Sequence, residues 1–86
     1  MASEEEKPEI IYPCQWTYSV MGHDEEDLRL CIGEVMRGRV HQVTLGRQSA
    51  GKKYIALHVD VRVAGEADRN ALFEAFRTHP KVKFVL

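Results

Sequence analysis

The chain has 86 residues, a net charge of −1, 44% hydrophobic and 29% charged residues. That is one globular domain, with no cationic excess to neutralise a nucleic-acid backbone and no run apolar enough to cross a bilayer as a helix. Its two cysteines, Cys14 and Cys31, cannot build the disulfide framework of a small secreted domain.

The opening "MASEEEKPE" is acidic and contains a proline, so residues 1–11 read as a flexible tail before a domain at 12–86. No basic-then-apolar leader precedes it, and a cytoplasmic protein is expected. From Gln15 to Met21, the residues Trp16, Tyr18 and Val20 alternate with Gln15, Thr17 and Ser19, which is the period of a strand with one buried face. Asp24 is a good N-cap, and Glu25, Glu26 and Asp27 suit the positive end of a helix dipole. Leu28, Cys31, Ile32, Val35 and Met36 follow as one helical stripe, and Gly38 stops it.

A second strand is expected over Val40 to Leu45, with Val43 and Leu45 inward. The third, Tyr54 to Val63, is the clearest, with Ile55, Leu57, Val59, Val61 and Val63 on one face. A second helix from Glu66 to Thr78 presents Ala71, Leu72, Ala75 and Phe76, and Pro80 closes it by disfavouring helical geometry at His79. The closing "KVKFVL" predicts a fourth strand with Val82, Phe84 and Leu86 inward. This order predicts an α+β fold, a ferredoxin-like βαββαβ two-layer sandwich. Its antiparallel sheet has the order 4-1-3-2, with both helices on one face.

The stretch "GRQSAGKK", Gly46 to Lys53, matches a phosphate-binding P-loop except at its last position, where Lys53 replaces Ser or Thr. A P-loop leads from a strand into a helix, whose N-terminus helps hold the phosphates. Here Gly51, Lys52 and Lys53 lead into the strongest strand, so the stretch reads as a hairpin loop turning at Ser49, Ala50 and Gly51.

Three segments carry a family resemblance: "YPCQWTYSVMG" (Tyr12 to Gly22), "SAGKKY" (Ser49 to Tyr54) and "HPKVKFVL" (His79 to Leu86). Together they resemble the YbeD-like family of small bacterial proteins over roughly residues 11–86. The chain departs from the family's pattern in Gln48 before the hairpin serine, in a second lysine, Lys53, and in a short link between the first helix and second strand. The resemblance implies a ferredoxin-like domain similar in shape to ACT-type regulatory modules, which bind small effectors and associate through their sheets. It supplies no catalytic residue.

The four histidines, His23, His41, His58 and His79, fall in different elements with no metal-ligand spacing, and two thiols are too few for an iron–sulfur cluster. No metal or cofactor is expected. Cys31 reads as a small core residue. Cys14, at the entry to the first strand, is the candidate for partial exposure and reactivity. The first loop lacks the arginine an acylphosphatase would need. RNA binding would require burying Gln15, Thr17 and Ser19 to turn the strand aromatics outward, at about 1–3 kcal/mol each if unpaired.

What remains is a binding surface. Tyr54, His58, Asp60 and Arg62 share the outer face of the third strand. Gln42 lies on the second strand, and Arg47, Lys52 and Lys53 form a cationic loop beyond it. The expected function is a regulatory or binding domain acting through a small effector, a protein partner or a second copy joined at a sheet edge. The alternative is a hydrolase or transferase without a recognisable site.

Overall fold

The computed structural model describes residues 10–46 and 53–86. Residues 1–9 of the expected tail, and Arg47, Gln48, the turn at Ser49, Ala50 and Gly51, and Lys52, lie outside them. The elements are β1 (Cys14–Gly22), α1 (Glu25–Met36), β2 (His41–Leu45), β3 (Ile55–Val63), α2 (Glu66–Arg77) and β4 (Phe84–Val85). All strand pairs are antiparallel, in the order β2-β3-β1-β4. This is the expected 4-1-3-2 read from the other edge.

The alternation of β1 and β3 positions the core. Tyr18 and Val20 lie beside Val59 and Leu57 in register, and all four are buried. They form one cluster with Leu28, Cys31, Ile32 and Met36 of α1 and Leu72 and Phe76 of α2. Asp24 caps α1 by accepting from the amides of Glu26 and Asp27, and the helix ends as Arg37 and Gly38 turn to positive φ, 50° and 84°. Arg37 therefore shares the left-handed turn that the sequence assigns to glycine alone. The Tyr18 hydroxyl donates to the Arg69 carbonyl at 2.6 Å, fixing α2 on the sheet.

Three expectations are corrected. Ala71 is exposed on α2, and the buried stripe there is Leu72 and Phe76. Leu45 faces the helix side in register with Leu57, yet is 51% exposed, because β2 is an edge strand and the helices pack over the middle of the sheet. In the C-terminal segment Val82 is buried as expected, but beyond it the phase is opposite to the one expected. Val82 and Val85 are buried, whereas Phe84 and Leu86 are 53% and 75% exposed. The reason lies in the turn after α2, where the Val82 amide donates to the His79 carbonyl. Val82 is thereby held outside the strand, and pairing with β1 starts only when the Lys83 amide reaches the Met21 carbonyl. A two-residue period counted from Val82 is shifted by one.

Candidate binding surface on the open sheet face

With both helices packed on one side, no described helix covers the other side of the sheet. On it Thr17 of β1 stands opposite Asp60 of β3, and Ser19 opposite His58. Each pair is hydrogen-bonded: the Thr17 hydroxyl donates to Asp60 Oδ1 at 2.5 Å, and Ser19 Oγ lies 2.8 Å from His58 Nδ1. Gln42 and Thr44 of β2 continue the same two rungs. A shallow cleft of about 280 Å³ opens at one end, lined by Gln15, Val40, His41, Gln42, Asp60 and Arg62.

The expected surface thus divides. His58, Asp60, Arg62 and Gln42 come together. Tyr54 sits at the far end of β3, where its ring stacks on His23 with centroids 5.0 Å apart and meets Phe84 edge-on at 5.4 Å. The Lys53 carbonyl lies 3.2 Å from His23 Nδ1 at that same end. Arg47 and Lys52 are outside the described residues. The sequence reading names His23 only among histidines without metal-ligand spacing, and it assigns Phe84 to the core. The turn at Val82 that sets the phase of Phe84 has no signal in the hydrophobic pattern.

Chemically, the polar rungs are self-satisfied. Asp60 is committed to Thr17 and does not reach His58, so the described residues contain no chain in which a carboxylate orients a histidine that activates a hydroxyl. A Cβ placed on Gly46 would come within 2.7 Å of His58 Nε2, so the second ring nitrogen is sheltered by the start of the hairpin loop. Among the described residues no three His, Cys, Asp or Glu gather as a metal site. His79 bonds Glu34 through Nε2 at 2.8 Å and accepts from the Lys81 amide through Nδ1, which joins α1 to the turn after α2. Burial pushes the Cys31 thiol up to about 11, with Glu34 adding to the effect; Cys14 is only partly buried.

The backbone of β2 completes the surface. Gly46 donates to the Ala56 carbonyl at 2.8 Å, so by strand alternation Thr44 and Gln42 also direct their backbone groups to β3. His41, Val43 and Leu45 then point theirs away from the sheet. These residues include no Asp, Glu, Lys or Arg, and Val40 just before them is 92% exposed.

Residues 7–86 match the family model described as "Protein of unknown function (DUF493)". An uncharacterized protein of Helicobacter pylori strain J99 is 34% identical over 76 residues, covering 86% of each chain. A UPF0250 protein of Paraburkholderia phymatum is 33% identical over 81 residues, covering 90% of this chain and 91% of that protein. The solution structure of protein HP0495 from H. pylori superimposes with a TM-score of 0.79 at 28% identity, covering all of this chain and 94% of the other. Its likeness extends over both helices and all four strands. In agreement with the YbeD-like segments of its sequence, the chain belongs to the DUF493 family of proteins of unknown function.

Proposed function

We propose that this domain is a binding module that takes another polypeptide along the free edge of β2. One observation carries the reading: the outward backbone groups of His41, Val43 and Leu45 form an edge with no charged side chain to guard it. Such an edge is a template for strand addition. Each backbone hydrogen bond it gains is worth about 1 kcal/mol net, and burying Leu45 and Val40 adds apolar contact. The cleft at Asp60 and Arg62 supports a small effector less well. At about 280 Å³ it is at the lower limit of small-molecule sites, and Asp60 is already bonded to Thr17.

The test is Gln42→Lys, which sets a charge on the middle of the edge while the side chain stays on the open face. Sedimentation equilibrium across a concentration series measures self-association, and affinity capture from cell extract measures a different partner. Loss of either association in a folded variant is the expected result. A wild type that stays monomeric, with capture unchanged by Gln42→Lys, overturns the reading.

A further inference from the structure

The free edge of β2 has a parity that its own sequence can match. His41, Val43 and Leu45 direct their N–H and C=O groups away from β3, and among the described residues no hydrogen bond reaches those groups. In an antiparallel pair, hydrogen-bonded partners are residues whose backbone groups point at one another. Two β2 strands meeting about a twofold axis must therefore oppose outward residues to outward residues. An axis at Val43 sets Val43 opposite Val43 and His41 opposite Leu45, so every outward group of the strand finds a partner. An axis at Gln42 or Thr44 leaves Leu45 or His41 without a strand residue to meet.

We propose that the occupant of this edge is a second copy of the chain, and that antiparallel β2–β2 pairing centred on Val43 joins the two four-stranded sheets into one. The inference rests on the reading of β2 as a template for strand addition and names its partner. The axis runs perpendicular to the sheet, so the helices of both copies stay on one side. They lie over the middle of each sheet and leave the edge clear. The side chains agree with the register on both faces. On the helix side Val43 meets Val43, and Leu45, 51% exposed in the single chain, gains the His41 ring of the second copy as a neighbour. On the open face Gln42 stands opposite Thr44 in the closer, non-hydrogen-bonded position, where a side-chain amide can bond a hydroxyl. No like charges meet, because the strand has none and Arg39 before it is held by Asp68. The edge offers no charge by which to select a charged strand of another protein, whereas its own sequence matches it residue by residue. Five residues a side is well below the roughly 20–30 of a standard stable interface. The dimer is therefore reversible, with a dissociation constant on the order of 100 μM.

The experiment uses the 86-residue chain. Sedimentation equilibrium up to about 1 mM should show a reversible monomer–dimer equilibrium. In an equimolar mixture of isotope-labelled and unlabelled chains, an intermolecular NOE should join the α-protons of Gln42 and Thr44, which the Val43-centred register sets opposite each other. Two double variants test the same pairing by charge: Gln42→Lys with Thr44→Lys, and Gln42→Glu with Thr44→Glu. Either alone places like charges opposite one another and should weaken self-association by about tenfold. Mixing the two should restore it, because opposite charges then face. Both side chains are exposed, and if a variant fails to fold, the NOE in the wild type decides. A wild type that stays monomeric throughout overturns the proposal; if Gln42→Lys then abolishes capture of a different protein, the broader reading of β2 survives without it. Contacts of Gln42 with Gln42 or of Thr44 with Thr44, or a mixture that associates no better than its components, also overturn it.

Discussion

Arg39 grips Asp68 with both arms of its guanidinium, Nη1 on Oδ1 at 3.0 Å and Nη2 on Oδ2 at 2.8 Å. The same Oδ2 accepts the Ala64 amide, and Arg39 Nη2 also donates to the Arg62 carbonyl. One carboxylate thus joins the link before β2, the end of β3 and the first turn of α2. The Arg39 bond, then the Ala64 amide, lowers the Asp68 carboxyl to about 2. In the unfolded chain an aspartate titrates near about 3.9. The folded value is the lower one, so the stabilisation is complete above about pH 4 and is lost as pH falls toward about 2. Asp68→Asn should lower stability by about 2 kcal/mol at neutral pH and flatten the dependence of Tm on pH in that window. Thermal unfolding of both proteins across the window checks this; parallel curves for the two would show that the pair contributes nothing.

The two cysteines should separate chemically. Cys31 is wholly buried on α1 and its thiol is raised to about 11, which leaves almost no thiolate near neutral pH. Cys14 is partly buried at the start of β1. Brief treatment of the folded protein with iodoacetamide at about pH 8, followed by peptide mass spectrometry, should show alkylation at Cys14 and leave Cys31 intact until denaturant is added. Equal labelling of both in the native protein would contradict the burial of α1's inner face.

The C-terminal segment provides a test by phase. Val85→Ala should cost about 1–2 kcal/mol, the value of the buried methyl groups it removes, whereas Leu86→Ser, at a mostly exposed position, should leave Tm nearly unchanged. Phe84→Ser should remove the edge-on contact with Tyr54, a loss of about 1 kcal/mol. Denaturant unfolding of the three variants ranks them, and the reverse ranking of positions 85 and 86 would restore the register expected from sequence.

The central strands were legible because each writes its environment into a two-residue period: Leu57, Val59, Val61 and Val63 are all buried, and that period needs no knowledge of the rest of the chain. The cap at Asp24 was legible because its carboxylate serves its own helix. The errors fall where tertiary contacts decide. Phe84 and Leu86 follow the turn at Val82, and Leu45 has the right orientation but no helix above it. In the candidate surface, His58, Asp60 and Arg62 follow from β3 alone. Their partners Ser19 and Thr17 depend on the register of two strands about forty residues apart in sequence, which spacing does not encode.

One substitution made at two glycines should have opposite signs. A Cβ at Gly22 would lie 2.7 Å from the Lys81 carbonyl oxygen and 2.8 Å from Leu28 Cδ2. Glycine there lets the end of β1 pass beneath the turn after α2 with no side chain between them. Leu28 is fully buried and the Lys81 oxygen is backbone, so neither neighbour yields easily. Gly22→Ala should cost about 1–3 kcal/mol, as overpacking does, and displace the turn that carries Val82. Gly33, by contrast, is exposed in the middle of α1 with nothing within 4 Å of its would-be Cβ. A helix-interior glycine is about 0.5–1 kcal/mol worse than alanine because the unfolded chain has more freedom to lose. Gly33→Ala should therefore raise stability by that amount without altering the core. The two sites are in different elements and their effects should add in the double variant. Denaturant midpoints of the two single variants and the double variant test this; stabilisation by Gly22→Ala would mean that β1 and the turn at Lys81 do not approach as closely as the structure places them.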